Sequence, residues 1–191
     1  ASNYDFTNLS HGTLSVTPRP ITVKADHVSR AYGDANPQLT YVVATDGVDA
    51  SRGLVGNDVL SGGLLTSAVK LSDVGSYPIS QGSLANANYA ITLSPVSGNV
   101  EVTARPLAVW TGAGGNSNWA NEANWQGGVA PLASNVLNAV IPSGNGRIVY
   151  DQTRPTTLHS LTSGVGLSVN GGILNLGQVA GDVSTFASGQ N

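Results

Sequence analysis

Two stretches of the chain carry one motif. Read from Asn3 the sequence runs NYDFTNLSHGTLSVTPRPITV, and read from Asn88 it runs NYAITLSPVSGNVEVTARPLAV. Asn3, Tyr4 and Thr7 match Asn88, Tyr89 and Thr92, while Gly12, Val16, Arg19 and Pro20 match Gly98, Val102, Arg105 and Pro106, so the second copy has gained one loop residue. Self-similarity at roughly 85 residues restricts the chain to units in series, each a block that repeats its own core. The expected layout is the closing hairpin of one module, one complete module, and then a departure from the repeat. Such a slice belongs to a long, quasi-linear protein in which the repeat's first task is to supply length.

Composition narrows the class. Charged residues make up 10% of 191, against an average near 25%. The chain has 24 glycines and scattered β-branched residues, which favours an all-β, turn-rich build. A 40% apolar content with a net charge of -3 opposes disorder. There is no cysteine, which excludes a disulfide framework, a thiolate metal site and a thiol nucleophile. No apolar run approaches the roughly 18 residues of a membrane span, and the N-terminus lacks a basic region followed by an apolar core. The stretch is therefore expected to be internal to its parent, with no membrane insertion. Its eight basic residues stand singly, which argues against nucleic acid.

Strand signals fill the first half. Ile21 to Ala25 alternates apolar and polar positions. Tyr32 to Pro37 reads as a turn, with Gly33 free to take positive φ and Asn36 held extended by Pro37. Further strands are expected over Leu39 to Ala44, Leu64 to Ser67, Ser76 to Ser80, Asn88 to Leu93 and Asn99 to Thr103, with Gly53 to Asp58 a short helical turn or a loop. Thr17-Pro18-Arg19-Pro20 and Thr103-Ala104-Arg105-Pro106 occupy equivalent places and read as stiff proline joints between modules. The expected divisions are 1–18, the end of a preceding repeat; 19–105, a complete module; 106–139, a Trp-rich junction or cap; and 140–191, a segment of short coils.

These residues also carry a resemblance. ITVKAD, AYGDANPQLTY, GLVGNDVLSGGL, VGSYPISQG and NYAITLSPVSGNVEVTARP, in this order from Ile21, resemble the MBG repeats (YGX type) of large bacterial surface adhesins, especially filamentous-haemagglutinin-like exoproteins of two-partner secretion systems. The resemblance implies a stalk or adhesive module, secreted to the bacterial surface, with no catalytic residue or cofactor. Its fold is expected to be a small β-module, an immunoglobulin-like β-sandwich or a β-grasp-like sheet with a short helix; strand count does not separate the two, and the sandwich is the preferred expectation.

Beyond Val109 the character changes. All three tryptophans fall between Trp110 and Trp125, among Asn116, Asn118, Asn121, Asn124 and Gln126. This segment, from WTG through the two Asn-Trp pairs to Ala130-Pro131, resembles those that introduce β-helical stretches in autotransporter and two-partner adhesins. From Val140 onward, short apolar pieces recur between Gly, Ser and Asn every 8 to 12 residues or so, which suits the start of a right-handed parallel β-helix or, alternatively, a flat sandwich. Two readings of the tryptophans stay open. Trp110, Trp119 and Trp125, with Asn118 and Asn124, could form a carbohydrate shelf, aromatic faces on sugar C–H groups and amides on hydroxyls. Alternatively the rings plug the junction and cover the first coil, since each buries about 150 to 250 Å².

Other chemistry finds little support. Glu101, Glu122 and nine dispersed aspartates offer no evident acid pair for a polysaccharide lyase or hydrolase. His11, His27 and His159 lack zinc spacing, and no G-x-S-x-G elbow occurs. Gly112 to Asn116 and Gly144 to Gly146 make no phosphate loop. Calcium prefers clustered oxygens, and Asp46 with Asp49, or Asp58 beside a carbonyl, is the nearest approach. The expectation is thus a non-enzymatic, monomeric segment of a secreted adhesin, without metal or cofactor, acting in adhesion, aggregation or biofilm. Its partners would be a polysaccharide or a host or bacterial surface. The alternative is a carbohydrate-binding module.

Overall fold

The computed structural model describes residues 12–45, 53–177 and 184–186. His11, the pair Asp46 and Asp49, the opening of the first motif copy (3–11) and Gln190-Asn191 lie outside them. The described residues are all-β, with several small sheets and helix limited to two 3₁₀ turns, Glu122–Asn124 and Gln126–Gly128.

The first half opens with β1 (Arg19–Ala25), in which Ile21, Val23 and Ala25 point inward between more exposed Pro20, Thr22 and Lys24, as period-two alternation requires. It continues through β2 (Val28–Ala31), β3 (Tyr41–Val43), β4 (Leu65–Thr66), β5 (Gly75–Ser80), β6 (Tyr89–Leu93) and β7 (Asn99–Thr103). Two sheets result, ordered β3-β1-β6 and β2-β7-β5-β4. Gly53 to Asp58 forms no helix: Gly53 and Gly56 take φ of +66° and +54°, and Asp58 N–H closes a turn on the Val55 carbonyl.

Three expectations need correction here. β6 and β7 are not a hairpin. Each pairs in parallel with a strand from the start of the module, Arg19 to Val23 against Tyr89 to Leu93 and Val28 to Ala31 against Val100 to Thr103. Ser94 to Gly98 crosses from one sheet to the other, as Asp26-His27 does beside it, and the crossing is pinned where Ser94 N–H meets the Val23 carbonyl and Gly98 N–H the Ala25 carbonyl. The sandwich reading changes with this: parallel ladders β1–β6 and β2–β7 depart from the antiparallel immunoglobulin pattern, and no helix accompanies the sheets among the described residues of the first half.

The third correction concerns the Arg-Pro joints, which lie inside strands. Pro20 sits in β1 at a place where the β1–β3 ladder, confined to Val23 through Ala25, does not reach. Pro106 lies in β8 (Arg105–Val109), an edge strand, where a missing N–H is tolerated. Only Ala104 separates β7 from β8, although the two strands belong to different sheets.

The second half comprises β9 (Val136–Ile141), β10 (Ile148–Asp151), β11 (Thr156–Leu158), β12 (Ser160–Ser163), β13 (Leu167–Gly171), β14 (Leu174–Leu176) and β15 (Thr185–Phe186). Every ladder is parallel, and each strand from β9 to β12 pairs with the strand three places later. Ala108, Ala139 and Leu161 stack at equivalent places along the β8-β9-β12 sheet, all buried. The Trp-rich segment runs one layer ahead. β8 pairs with β9, Asn118 bridges Val149 of β10, and Thr157 N–H of β11 donates to the Ala133 carbonyl.

Candidate functional site at the tryptophan seam

The Trp-rich segment folds around its asparagines. Asn side chains readily bond nearby backbone and so replace regular ladders with tight turns. Asn116, Asn118 and Asn121 each accept from an N–H two residues on, belonging to Asn118, Ala120 and Ala123. Asn124 is fully buried: its Nδ2 donates to the carbonyls of Asn116 and Asn118 and to Asn116 Oδ1, and its Oδ1 accepts from Gly114 N–H. A Cβ at Gly114 would stand 2.5 Å from Asn121 Nδ2 and 2.6 Å from Asn124 Oδ1, so only glycine fits against this knot.

That knot turns the rings inward. Trp110, Trp119 and Trp125 are 2%, 0% and 2% exposed. Trp125 meets Trp110 edge to face at 5.2 Å and Trp119 at 4.9 Å, and Trp119 meets Tyr150 at 5.5 Å. Both deeper indoles are satisfied, Trp119 Nε1 donating to the Pro131 carbonyl and Trp125 Nε1 to the Trp119 carbonyl, each at 2.7 Å. A sugar shelf needs open ring faces; here the rings pack on one another, on Tyr150 and in the apolar core of the second half. Of the five residues read as a carbohydrate set, Asn118 alone stays toward the surface, its amide oxygen engaged by Ala120 N–H.

The same rings join the two halves. Tyr32 and Val102 of the first half pack in one apolar cluster with Ala108, Trp110, Trp119, Trp125 and Val129. The Tyr32-Gly33-Asp34 turn is the contact point. Arg105 Nη1 donates to the Tyr32 carbonyl at 3.2 Å and pairs with Asp34 Oδ1 at 3.0 Å, a part-exposed ion pair contributing at most about 1 kcal/mol. Gly33 lies so close to Val129 that a Cβ would stand 2.3 Å from Cγ2. Lys70 Nζ reaches the Gly127 carbonyl at 3.5 Å. Burial pushes the Tyr32 phenol up from its ordinary pKa, while a hydrogen bond with Asn135 pulls it partway back.

The turn is braced from behind by Arg30, a residue that the sequence pattern did not single out. Its buried guanidinium donates to Asn36 Oδ1 at 2.6 Å, to the carbonyls of Ala31 and Lys70, and to the Val69 carbonyl. Asn36 in turn donates to the Ala68 carbonyl at 2.6 Å, and Gly33 N–H to the Lys70 carbonyl at 3.1 Å. In the sequence, the recurrence of Arg19 as Arg105 and the cluster of tryptophans that follows it are the signals pointing to this seam.

A cavity of about 160 Å³ opens between the halves, lined by Tyr32, Asp73, Leu132, Ala133, Asn135, Gln152, Thr153, Arg154 and Thr156. Ala133 holds φ of +53°, the left-handed region that costs a non-glycine residue about 1–2 kcal/mol. Thr156 is 1% exposed and its Oγ1 has no hydrogen-bond partner. An unsatisfied buried hydroxyl costs about 1–3 kcal/mol. Thr156→Val, which keeps the shape, is expected to stabilise the chain by about 1 kcal/mol, raising the thermal midpoint by roughly 2–4 °C. A loss of stability on calorimetry would mean that the hydroxyl is satisfied in solution.

Among the described residues no group of three or more His, Asp or Glu gathers to hold a metal. His27 contacts Asn99, and Asp58 accepts from the Tyr89 hydroxyl at 2.6 Å. No helix of the described residues is long and apolar enough to cross a membrane.

Residues 21–100 match the family model of the MBG domain (YGX type). No curated protein and no solved structure matches the chain.

Proposed function

We propose that this chain is the end of a stalk in a large secreted bacterial adhesin of the filamentous-haemagglutinin-like, two-partner-secretion kind: an MBG module locked to the first coils of a right-handed parallel β-helix. The MBG match supports the first part, since such domains belong to surface or secreted repeat proteins. The one-layer-ahead course of the Trp-rich segment supports the second. A coil of parallel strands needs a cover over its first layer, and β8, Asn118 and Ala133 lie on the three ladders as an incomplete leading turn. Its function is to space and present, for adhesion, aggregation or biofilm, without catalysis or a cofactor.

The observation that carries this reading is the shared core at the seam. Separate domains on a flexible linker swing; here one residue separates β7 from β8, and Tyr32 and Val102 pack with the tryptophans. Stiffness across a change of architecture is what a projecting stalk requires. Small-angle scattering in solution tests it. A compact domain of this length has a radius of gyration of about 16 Å. A rod-like profile with a value above roughly 20 Å is expected, and a globular profile near 16 Å would sink the stalk reading.

A further inference from the structure

Thr13 to Thr17 of the first motif copy has a strand pattern but pairs with no strand among the described residues. Thr13 to Thr17 aligns with Asn99 to Thr103, which is β7, placing Leu14 at Val100 and Val16 at Val102. Val100 and Val102 are completely buried, because β7 is an inner strand between parallel β2 and antiparallel β5. Leu14 and Val16 are 87% and 84% exposed. They recur at i and i+2, between Thr13, Ser15 and Thr17, as the apolar face of a half-buried strand does.

The slot that fits this strand exists in the structure and is already filled. Its walls are Val28 to Ala31 on one side and Gly75 to Pro78 on the other, and β7 occupies it in register from Asn99 to Thr103. A strand of the same pattern therefore needs the same slot in a different module. The chain runs from Thr17 straight into Arg19-Pro20, as it runs from Thr103 into Arg105-Pro106, so the strand would stand to β1 as β7 stands to β8.

Resting on the stalk reading, we propose that Thr13–Thr17 is the last strand of a preceding MBG-type module, inserted between that module's equivalents of β2 and β5 with Leu14 and Val16 in its core. The partner is a second module of this family, and the contact is strand completion. Each module is then closed by the residues that lead into the next, with Pro18 as the single residue between sheets, where Ala104 stands in the second copy. Neighbouring units so built cannot separate without opening a core.

The test is a chain in which residues 19–98 are joined directly to Thr13 of residues 13–191, so that Thr13 to Thr17 falls where β7 would follow Gly98. Amide hydrogen exchange should slow at Leu14 and Val16 by at least about 100-fold relative to the parent chain, approaching the rates of Val100 and Val102. Exchange at parent rates while β1 of the added module is protected would overturn the proposal without touching the stalk reading, which scattering decides. If the extended chain fails to fold, Leu14→Asp with Val16→Asp in the parent is decisive. An unchanged thermal midpoint is expected, because both side chains stand in solvent and pack against none of the described core. A clear drop would show that they do, and would refute the assignment.

Discussion

Replacing Trp119 by alanine is expected to destabilise the second half by about 3–5 kcal/mol. Nothing of the indole reaches solvent. Its removal leaves a void against Trp125 and Tyr150, whose rings lie 4.9 and 5.5 Å away, and leaves the Pro131 carbonyl without its 2.7 Å partner. Collapse cannot easily fill the void, because Asn118 and Val149 pin the backbone on one side and the Asn124 knot holds it on the other. Domains of this size are stable by only about 5–15 kcal/mol, so the loss removes much of the margin. Trp119→Phe retains the stacking and loses the indole bond, and a smaller cost of about 1–3 kcal/mol is expected. Urea unfolding followed by the fluorescence of Trp110 and Trp125 measures both. An alanine cost under about 1 kcal/mol would place the ring at a surface and reopen the carbohydrate shelf.

The sequence displayed its strands better than their partners. β1 was legible because Ile21, Val23 and Ala25 alternate with polar or ring-locked residues, and alternation is a local property. β2 was not, since Arg30 occupies an inward place and breaks the apolar pattern; its burial depends on acceptors at Val69 and Lys70, distant in sequence. Asn88 to Thr103 looked like a hairpin because two strand signals flank Ser94 to Gly98. That loop instead carries the chain between sheets, and which strand accepts each arm is decided by the module's opening residues, Arg19 to Ala31.

The tryptophans posed the same problem at the candidate site. Aromatic residues among asparagines suit a sugar shelf and a plug equally, because composition does not say which way a ring faces. Asn124 settles the direction by tying down the carbonyls of Asn116 and Asn118 from inside. The seam cavity was illegible for a related reason: Tyr32, Asn135 and Thr156 come together only when β11 stacks beside the Trp segment.

Gly33→Ala is the second large effect, expected to cost about 2–5 kcal/mol and to uncouple the halves. Two penalties combine. The backbone at φ of +85° admits glycine freely, and an L-residue there loses about 1–2 kcal/mol. The added methyl would also stand 2.3 Å from Val129 Cγ2, a contact that a β-branched, buried neighbour cannot yield by rotating, and overpacking of this sort costs about 1–3 kcal/mol. A double-mutant cycle separates the two. Val129→Ala alone should cost about 1–3 kcal/mol, but in the Gly33→Ala background it should cost less, or even stabilise, leaving a coupling of about 1–3 kcal/mol between positions on opposite sides of the seam. Tyrosine and tryptophan signals should unfold together in the parent, whose halves share one core, and at separate urea concentrations in Gly33→Ala. Additive costs with coincident transitions would show that Gly33 serves the turn alone, and the seam would then owe its stiffness to the Tyr32 ring and the Arg105 contacts.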